Sequence, residues 1–424
     1  MGTHWWTARP TTPSAAFWTY WSASTVSSVG SAVSAVALPL VALFELHASA
    51  FEVGLLSAAS YVAWLVIGLP AGVVVGRLPL RRLQVAMDVV RALALASVPV
   101  AWWQDALTLT QLVVVALVTS VASVLFDVAS MTFLPTVVPK EQLQSRNSLN
   151  SGTHATTQLA GPALGGFAVQ LFGAVPTVLV DAVSYLVSAV LVSRLPERER
   201  VLAGSTTRVR ALVGEGWRYV TRHPLMGPFM WEATLVNFVC GALMALTPIY
   251  LVRVLDAPPG LVGLLIASEG IGSLVGAALV PRLSRALGSA RVVLVASLAG
   301  GLLALLMPVG SGYVGMVLFA VGSAGFAAGV VVGSVVTRTY RQIETPPELL
   351  SRVMATVRFV SWGAIPVGSL AAGITATLIG VRPTLWLTAG ATFLPLLVLW
   401  ASPLRWLRDL EPGAVAPDPA PVGR

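Results

Sequence analysis

The stretch Pro139–Thr177, PKEQLQSRNSLNSGTHATTQLAGPALGGFAVQLFGAVPT, returns without a gap 207 positions downstream as Pro346–Thr384, PPELLSRVMATVRFVSWGAIPVGSLAAGITATLIGVRPT. The identities are Pro139/Pro346, Glu141/Glu348, Leu143/Leu350, Gly161/Gly368, Gly166/Gly373, Leu171/Leu378, Gly173/Gly380, Pro176/Pro383 and Thr177/Thr384. Nine matches in 39 positions gain weight from a second echo at nearly the same offset. There Pro39 pairs with Pro248, and Val53-Gly54-Leu55-Leu56 with Val262-Gly263-Leu264-Leu265. The order of elements agrees, so the chain reads as two like halves.

Composition fixes what those halves are made of. The chain is 56% hydrophobic and 10% charged, with a mean hydropathy of +0.82. A soluble domain carries about 25% charged residues. Uncharged runs recur at 10–44, 53–76, 106–126, 147–180, 233–252, 292–337, 359–381 and 383–404. A helix needs about 20 mainly apolar residues to cross the hydrocarbon core. The 46-residue run 292–337 is therefore two helices, broken at Gly310-Ser311-Gly312. Twelve spans follow: 17–43, 53–76, 85–104, 107–130, 148–172, 175–193, 228–251, 259–281, 290–309, 313–337, 353–378 and 383–402. The expected fold is an all-α membrane protein of twelve transmembrane helices in two pseudo-symmetric six-helix bundles. Two like halves in a membrane are the usual build of a secondary transporter, with its substrate site between them.

Arginine sets the orientation. With a cytoplasmic N-terminus, the outward loops hold only Arg253 and Arg382, while the inward segments hold 22 Lys and Arg, seven of them between Arg194 and Arg222. That bias places both termini inside. The net charge of +8 then reflects topology and anionic headgroups, and nucleic-acid binding is a poor reading of it. The first apolar run is too long for a signal-peptide core and reads as a retained helix. The expected organisation is a cytoplasmic arm 1–16 with Trp5 and Trp6 as interfacial anchors, bundles 17–195 and 227–403, and a tail 404–424. An arginine-rich cytoplasmic linker, 196–226, joins the bundles and carries an amphipathic piece near Leu212–Tyr219. The Pro-rich end of the tail is too poor in apolar residues to pack.

Absences narrow the chemistry. Cys240 is the one cysteine, so no intramolecular disulfide forms, and His4, His47, His154 and His223 have no metal-site spacing. The one lysine, Lys140, follows Pro139 and not a Gly-rich turn, which excludes a phosphate-binding loop. No nucleophile–base arrangement stands in a soluble loop. The expectation is a transporter driven by an ion gradient, with no cofactor and no enzymatic activity.

The twofold repeat, the twelve spans and the long central loop resemble the major facilitator superfamily. Within it the chain is similar to the drug-efflux branch that includes macrolide and enterobactin exporters. The stretches that carry this are Leu134–Gly166, Val180–Ser184 (VDAVS), Gly216–Pro224 (GWRYVTRHP) and Pro347–Gly373. GPALGG, here Gly161, Pro162, Ala163, Leu164, Gly165 and Gly166, resembles the helix-five motif associated with export by antiport. Pro162 removes a helix hydrogen bond, and the glycines permit close packing. The superfamily's loop after helix two usually reads Gly-x-x-x-Asp-Arg-x-Gly-Arg-Arg. Here Gly72, Arg77, Arg81 and Arg82 keep its glycine and its basic residues, but Gly76 stands at the acidic position. That puts the cytoplasmic latch in doubt, and Asp88 with Arg91, three apart on one helix face, is an alternative local charge pair. Helix four also lacks the intramembrane arginine of many proton-coupled relatives.

Ionisable groups inside a span are expensive and functional by default. Asp127 near the inner end of helix four and Arg358 about one turn into helix eleven read either as charges at the headgroup boundary or as functional groups. Asp181, read as opening helix six, and Glu232, one turn into helix seven, have similar structural alternatives. Glu269 lies ten residues into helix eight, near the bilayer midplane, where desolvation penalises the charged form and makes proton exchange a natural role. Pairing with an arginine distant in sequence is the alternative. His154 is a proton-relay candidate or a packing histidine. In the superfamily, helices one, four, seven and ten line the cavity. Here this implies Ser27, Gly30, Ser31 and Ser34, Thr119, Ser120 and Ser123, Asn237, Phe238 and Met244, and Phe319, Ser323 and Phe326. So apolar a lining suits a bulky amphiphile better than a sugar.

The reading is a monomeric proton antiporter of the bacterial cell membrane, exporting hydrophobic or amphipathic molecules. The alternatives are an uptake symporter of the same fold and a non-transporting sensor or scaffold. Topology is directly testable on a background lacking Cys240. Single cysteines in 44–52 and 252–258 are expected to label from outside the cell and those in 196–215 are not. Outside labelling of the central loop overturns the orientation.

Overall fold

The computed structural model describes residues 13–76, 78–137, 143–196 and 209–411. Arg77, Lys140, most of the expected N-terminal arm, the first part of the linker and the Pro-rich tail lie outside the described residues. Every regular element among the described residues is helical. Hydrocarbon offers the backbone no hydrogen-bond partner, so each peptide group must be satisfied within its own helix.

The first half runs α1 (Pro13–Phe44), α2 (Ala50–Gly76), α3 (Leu80–Trp103), α4 (Leu109–Val137), α5 (Leu143–Phe172) and α6 (Ala174–Ser193). A short amphipathic helix follows, α7 (Val209–Arg222). The second half runs α8 (Met226–Arg253), α9 (Pro259–Leu287), α10 (Ser289–Ala304), α11 (Gly312–Glu344), α12 (Pro347–Ile379), α13 (Val381–Ala391) and α14 (Leu394–Ala401). The twelve expected spans map onto α1 to α6, α8 to α12, and α13 with α14 taken together. Ten of these are long and apolar enough to cross a membrane by length and composition alone. The exceptions have plain causes. The first half of α5 carries Asn147, Asn150, Thr153, Thr156 and Thr157, and α10 has only 16 residues. Its expected span to 309 instead ends at Ala304 and closes in turns, and the expected span 383–402 breaks at Thr392–Phe393.

The sequence repeat is present in backbone geometry. Gly173 ends α5 at φ 86°, ψ 163°, and Gly380, its match, ends α12 at φ 93°, ψ 160°. This region is open essentially to glycine alone. In both copies the threonine four residues on donates its hydroxyl to the glycine carbonyl, Thr177 at 2.7 Å and Thr384 at 2.8 Å. At the second offset, His47 (φ 51°) and Asp256 (φ 52°) terminate α1 and α8 in the same way. The next residue's N–H returns to the helix in each case, Ala48 to Ala42 and Ala257 to Leu251, both at 2.9 Å. The foreseen break at Gly310-Ser311-Gly312 holds, with both glycines at positive φ.

By contacts the chain divides into two compact units, Met1–Ala48 with Ala59–Gly204 and Pro258–Ala267, and Ser49–Ala58 with Ser205–Ala257 and Ser268–Arg424. In the first unit, α5 meets the opening of α9. A Cβ on Gly166 would stand 2.6 Å from the Pro259 carbonyl and 2.7 Å from Gly263 Cα. In the second, α12 meets the opening of α2, and a Cβ on Gly373 would lie 3.0 Å from the Ala50 carbonyl and 3.3 Å from Gly54 Cα. Gly166/Gly373 and Gly54/Gly263 are matched positions of the repeat, so one contact is made twice.

The linker helix α7 docks on the second unit. Glu215 pairs with Arg352, and a Cβ on Gly216 would lie 2.7 Å from the Arg352 carbonyl. Val220 packs with Met226, Met230, Val353 and Val357. His223 then caps the start of α8: its Nδ1 accepts from the N–H groups of Leu225 (3.2 Å) and Met226 (3.3 Å), and its Nε2 lies 3.5 Å from Glu344 Oε1. Burial pushes the imidazole's pKa below its usual value, partly countered by Glu344. The unfolded chain then binds the proton more readily. The contribution of His223 is full above the ordinary histidine pKa of about 6.5 and is lost as pH falls through the window beneath it. His223→Ala is expected to cost about 0.5–2 kcal/mol, as other lost caps do. Melting in detergent should show a deficit near neutral pH that shrinks on mild acidification, and a pH-independent deficit counts against the cap.

Candidate functional site: two groups of intramembrane carboxylates

In the first unit, polar stripes on three apolar helices converge. On α6 the stripe is Asp181, Ser184, Tyr185 and Ser188, spaced i, i+3, i+4, i+7 along one face. On α1 it is Ser27, Gly30, Ser31 and Ser34, and on α3 it is Asp88 and Arg91. Arg91 stands about 16 Å along α3 from Leu80, at 1.5 Å per residue, and Asp181 about 10 Å into α6. Asp181 therefore does not open helix six, because that helix begins at Ala174. Arg91 pairs with Asp88, and its guanidinium lies 4.4 Å over the Phe126 ring and 4.1 Å over that of Tyr185. Its Nη1 reaches Ser123 Oγ at 3.4 Å. Burying an arginine in hydrocarbon costs about 2.5–3.5 kcal/mol on insertion scales. The ion pair and two aromatic faces offset that. The Asp88–Arg91 pair thus lies along α3 about two turns and more beyond Arg81 and Arg82, away from the acid missing at Gly76.

Asp181 shares this interior. Its Oδ1 accepts from Ser184 Oγ at 3.1 Å, and Ser31 Oγ contacts the Tyr185 hydroxyl at 2.9 Å. Ser34 sits beside Asp181, and Ser188 beside Asp88, each close to the carboxylate but outside hydrogen-bonding geometry. Asp88, Arg91, Asp181, Ser34, Ser184 and Ser188 are all buried. Asp127, half-buried on α4, is near enough to act on the Arg91 charge.

The second unit holds two simpler acids. Glu269, about 15 Å into α9, has accessible surface although protein atoms surround it densely, and it accepts one hydrogen bond, from Ser323 Oγ at 3.2 Å. Cys240 of α8 is the nearby group that feels its charge. Glu232 is buried two turns into α8, within electrostatic reach of Arg341. The expected span ending at 337 leaves Arg341 in an inward segment, but α11 continues to Glu344 and buries it, with its Nε donating to the Thr337 carbonyl at 3.2 Å. Sequence reasoning missed that neighbour. The basic residues three and six places before the end of α11, on a helix that runs seven residues past its expected end, were the available sign.

The other expected residues separate. Ser323 and Phe319 are buried inside the second unit, Phe319 against Tyr250 at 5.9 Å between rings, and Phe326 is buried too. Thr119, Asn237 and Phe238 are half-buried, and Met244 is 41% exposed. Gly161 and Gly165 face Ala32 and Val33 of α1, with Pro162 between them on α5. Arg81 donates to the Leu195 carbonyl at 2.8 Å. Arg358 stacks on Trp362 at 4.3 Å, three turns into α12 because that helix opens at Pro347. His154 lies on α5 and Gly72 on α2.

An all-helical fold with repeated halves and charged groups held inside its spans defines a polytopic membrane transporter. The chain belongs to the transmembrane secretion effector family of the major facilitator superfamily, whose family profile matches residues 9–421. It is 27% identical over 355 residues to the uncharacterized MFS-type transporter YfiS of Bacillus subtilis, covering 81% of this chain and 83% of that one. It is 27% identical over 405 residues to the multidrug efflux pump Tap of Mycobacterium tuberculosis, covering 91% and 93%. Its fold resembles the nucleoside transporter NupG (TM-score 0.75, 12% identity, 91% and 98% covered). It also resembles a bacterial homologue of the iron transporter ferroportin in an inward-facing state (TM-score 0.72, 15% identity, 91% and 98% covered).

Gly30 makes room for the Asp181 group, since a Cβ there would lie 2.5 Å from Asp181 Oδ1 and 2.7 Å from Ser184 Cβ. Gly30→Ala is expected to destabilise the protein by about 1–3 kcal/mol, the usual cost of overpacking. Thermal melting of the purified protein checks this, and an unchanged midpoint means that α1 and α6 are less closely packed than described.

Proposed function

We propose that this protein is a proton-coupled exporter of hydrophobic or amphipathic small molecules. It works by alternating access, as a monomer in the bacterial cell membrane with both termini cytoplasmic. In this reading the bundles 17–195 and 227–403 are the moving bodies, 196–226 joins them and 404–424 is a cytoplasmic tail. The observation that carries the reading is Glu269, an exposed mid-span carboxylate held by one neutral donor. Among the described residues no arginine pairs with it, so it is able to trade a proton for a cationic or amphipathic substrate. Substrate and proton then compete for one group, which is exchange. Asp127, Glu232 and His154 are the reserve candidates for coupling. The export direction draws support from GPALGG on α5 and from the likeness to efflux pumps named Tap along 91% of the chain. An uptake symporter is the second reading, because the same fold is found in a fucose:proton symporter (TM-score 0.57, 12% identity). That likeness concerns fold alone.

Ethidium, an amphipathic cation, is a suitable probe in proteoliposomes. Glu269→Gln mimics the protonated acid and is expected to abolish proton-driven ethidium efflux while retaining exchange of labelled for unlabelled dye. Proton-driven efflux at the wild-type rate in this variant removes Glu269 from the mechanism. Accumulation of dye in symport with an inward proton gradient overturns the export reading.

A further inference from the structure

The proton-antiport reading through Glu269 makes no use of Asp88, Arg91 and Asp181, charged groups buried among α1, α3, α4 and α6 in the first unit. We propose that Asp181 and Asp88, sharing Arg91, form a second proton-binding site. It is a sealed one, distinct from Glu269, and Asp181 is the carboxylate that carries the proton.

The argument begins with charge. Asp88 and Asp181 are both buried, 0% and 2% exposed, and Arg91 is the cation that acts on both. Asp127 adds a third acid within reach of Arg91, and among the described residues Tyr185 and Tyr20 are further titratable groups facing the cluster. Two buried carboxylates against one guanidinium leave an uncompensated charge in a medium where one is costly. Like-charged carboxylates that share a site resolve this by holding a proton. The contacts divide the two acids. Asp88 takes the arginine directly, whereas the groups next to the Asp181 carboxylate are the hydroxyls of Ser184 and Ser34, with Arg91 acting on it only through its charge. A neutral carboxylic acid suits such neighbours, because it both donates and accepts.

An unpartnered atom is the second observation. Asp88 Oδ2 is buried without a hydrogen bond in good geometry, with the Ser188 hydroxyl beside that carboxylate and the Ser34 hydroxyl beside Asp181. A buried polar atom left unpaired costs about 1–3 kcal/mol, and a protonated carboxyl group can donate to such a neighbouring hydroxyl where a carboxylate can only accept. Residues this deeply buried leave the carboxylates room for a proton and not for a larger ligand. Gly30 completes the construction, since any side chain there would displace the Asp181 carboxylate. The step itself is a bare proton transfer from hydronium to a carboxylate oxygen, with water returned.

The proposal rests on the proton-antiport reading only for its use in transport, and its test is independent of transport. Infrared titration of the purified protein in phospholipid vesicles reads the carbonyl band of protonated carboxyl groups. The wild type is expected to show a component that Asp181→Asn deletes and Glu269→Gln leaves in place. Asp88→Asn hands the whole Arg91 charge to Asp181 and is expected to remove that same component at neutral pH. Asparagine is isosteric with the protonated acid, so Asp181→Asn should elute and melt like the wild type, and Ser184→Ala gives a milder second perturbation of the same band. Identical titrations in the wild type, Asp181→Asn and Ser184→Ala overturn the site, even where ethidium efflux is proton-driven. If efflux needs no proton gradient while the Asp181 component persists, the coupling reading fails and the site stands.

Discussion

Hydrocarbon supplies no hydrogen-bond partner and almost no dielectric screening, and every feature of this chain answers to that. The backbone answers by being helical wherever it is regular. Side-chain charges answer by finding partners on other helices, as Arg91 does in Asp88, Phe126 and Tyr185. Helix association has no hydrophobic drive in lipid, so it depends on close backbone approach. That is why glycines stand at the contacts of α5 with α1, of α9 with α11 and of α8 with α12. A side chain at Gly272 or Gly276 would meet the backbone of Ala324 or Ala328.

Much of this was legible in the sequence because it is local or periodic. Span length and the uncharged runs gave the helix count. The repeat gave Gly173 with Gly380, and the backbone there is nearly superimposable in its angles. The break near Gly310 followed from length alone. The amphipathic piece of the linker was legible as well, although its docking through Gly216 and Val220 was not. Two spans were harder: α5 begins in a polar stretch, and α10 stops at Ala304 where apolar composition continues.

The polar interior was legible only in fragments. Asp88 and Arg91 are three apart, so their pairing could be proposed from one helix. Asp181 lies ninety positions beyond Arg91, and nothing in a single sequence fixes the rotation of α6 against α3. The stripe Asp181, Ser184, Tyr185, Ser188 did announce a polar helix face, and the stripe on α1 announced another. That they share one interior is a packing fact. The same limit applies to Glu232 and Arg341. Burial of Arg341 depends on where α11 ends, and helix ends are the least certain part of any sequence reading.

Glu269 and Asp181 illustrate why position along a span is a poor guide to chemistry on its own. Both are acids well inside helices, and both looked expensive. One is exposed with a single neutral partner, so its environment changes whenever the solvent around it changes. The other is enclosed by α1, α3 and α6, so its protonation follows the internal charge balance set by Asp88 and Arg91. An exposed acid is suited to exchange, and an enclosed one to holding a proton until its surroundings rearrange. Alternating access needs groups whose preferred state differs between conformations, because a group equally content in both biases neither. In the proposed site an acid sharing one arginine with a second acid meets that requirement, since a small relative shift of α3 and α6 would reassign the arginine and with it the proton.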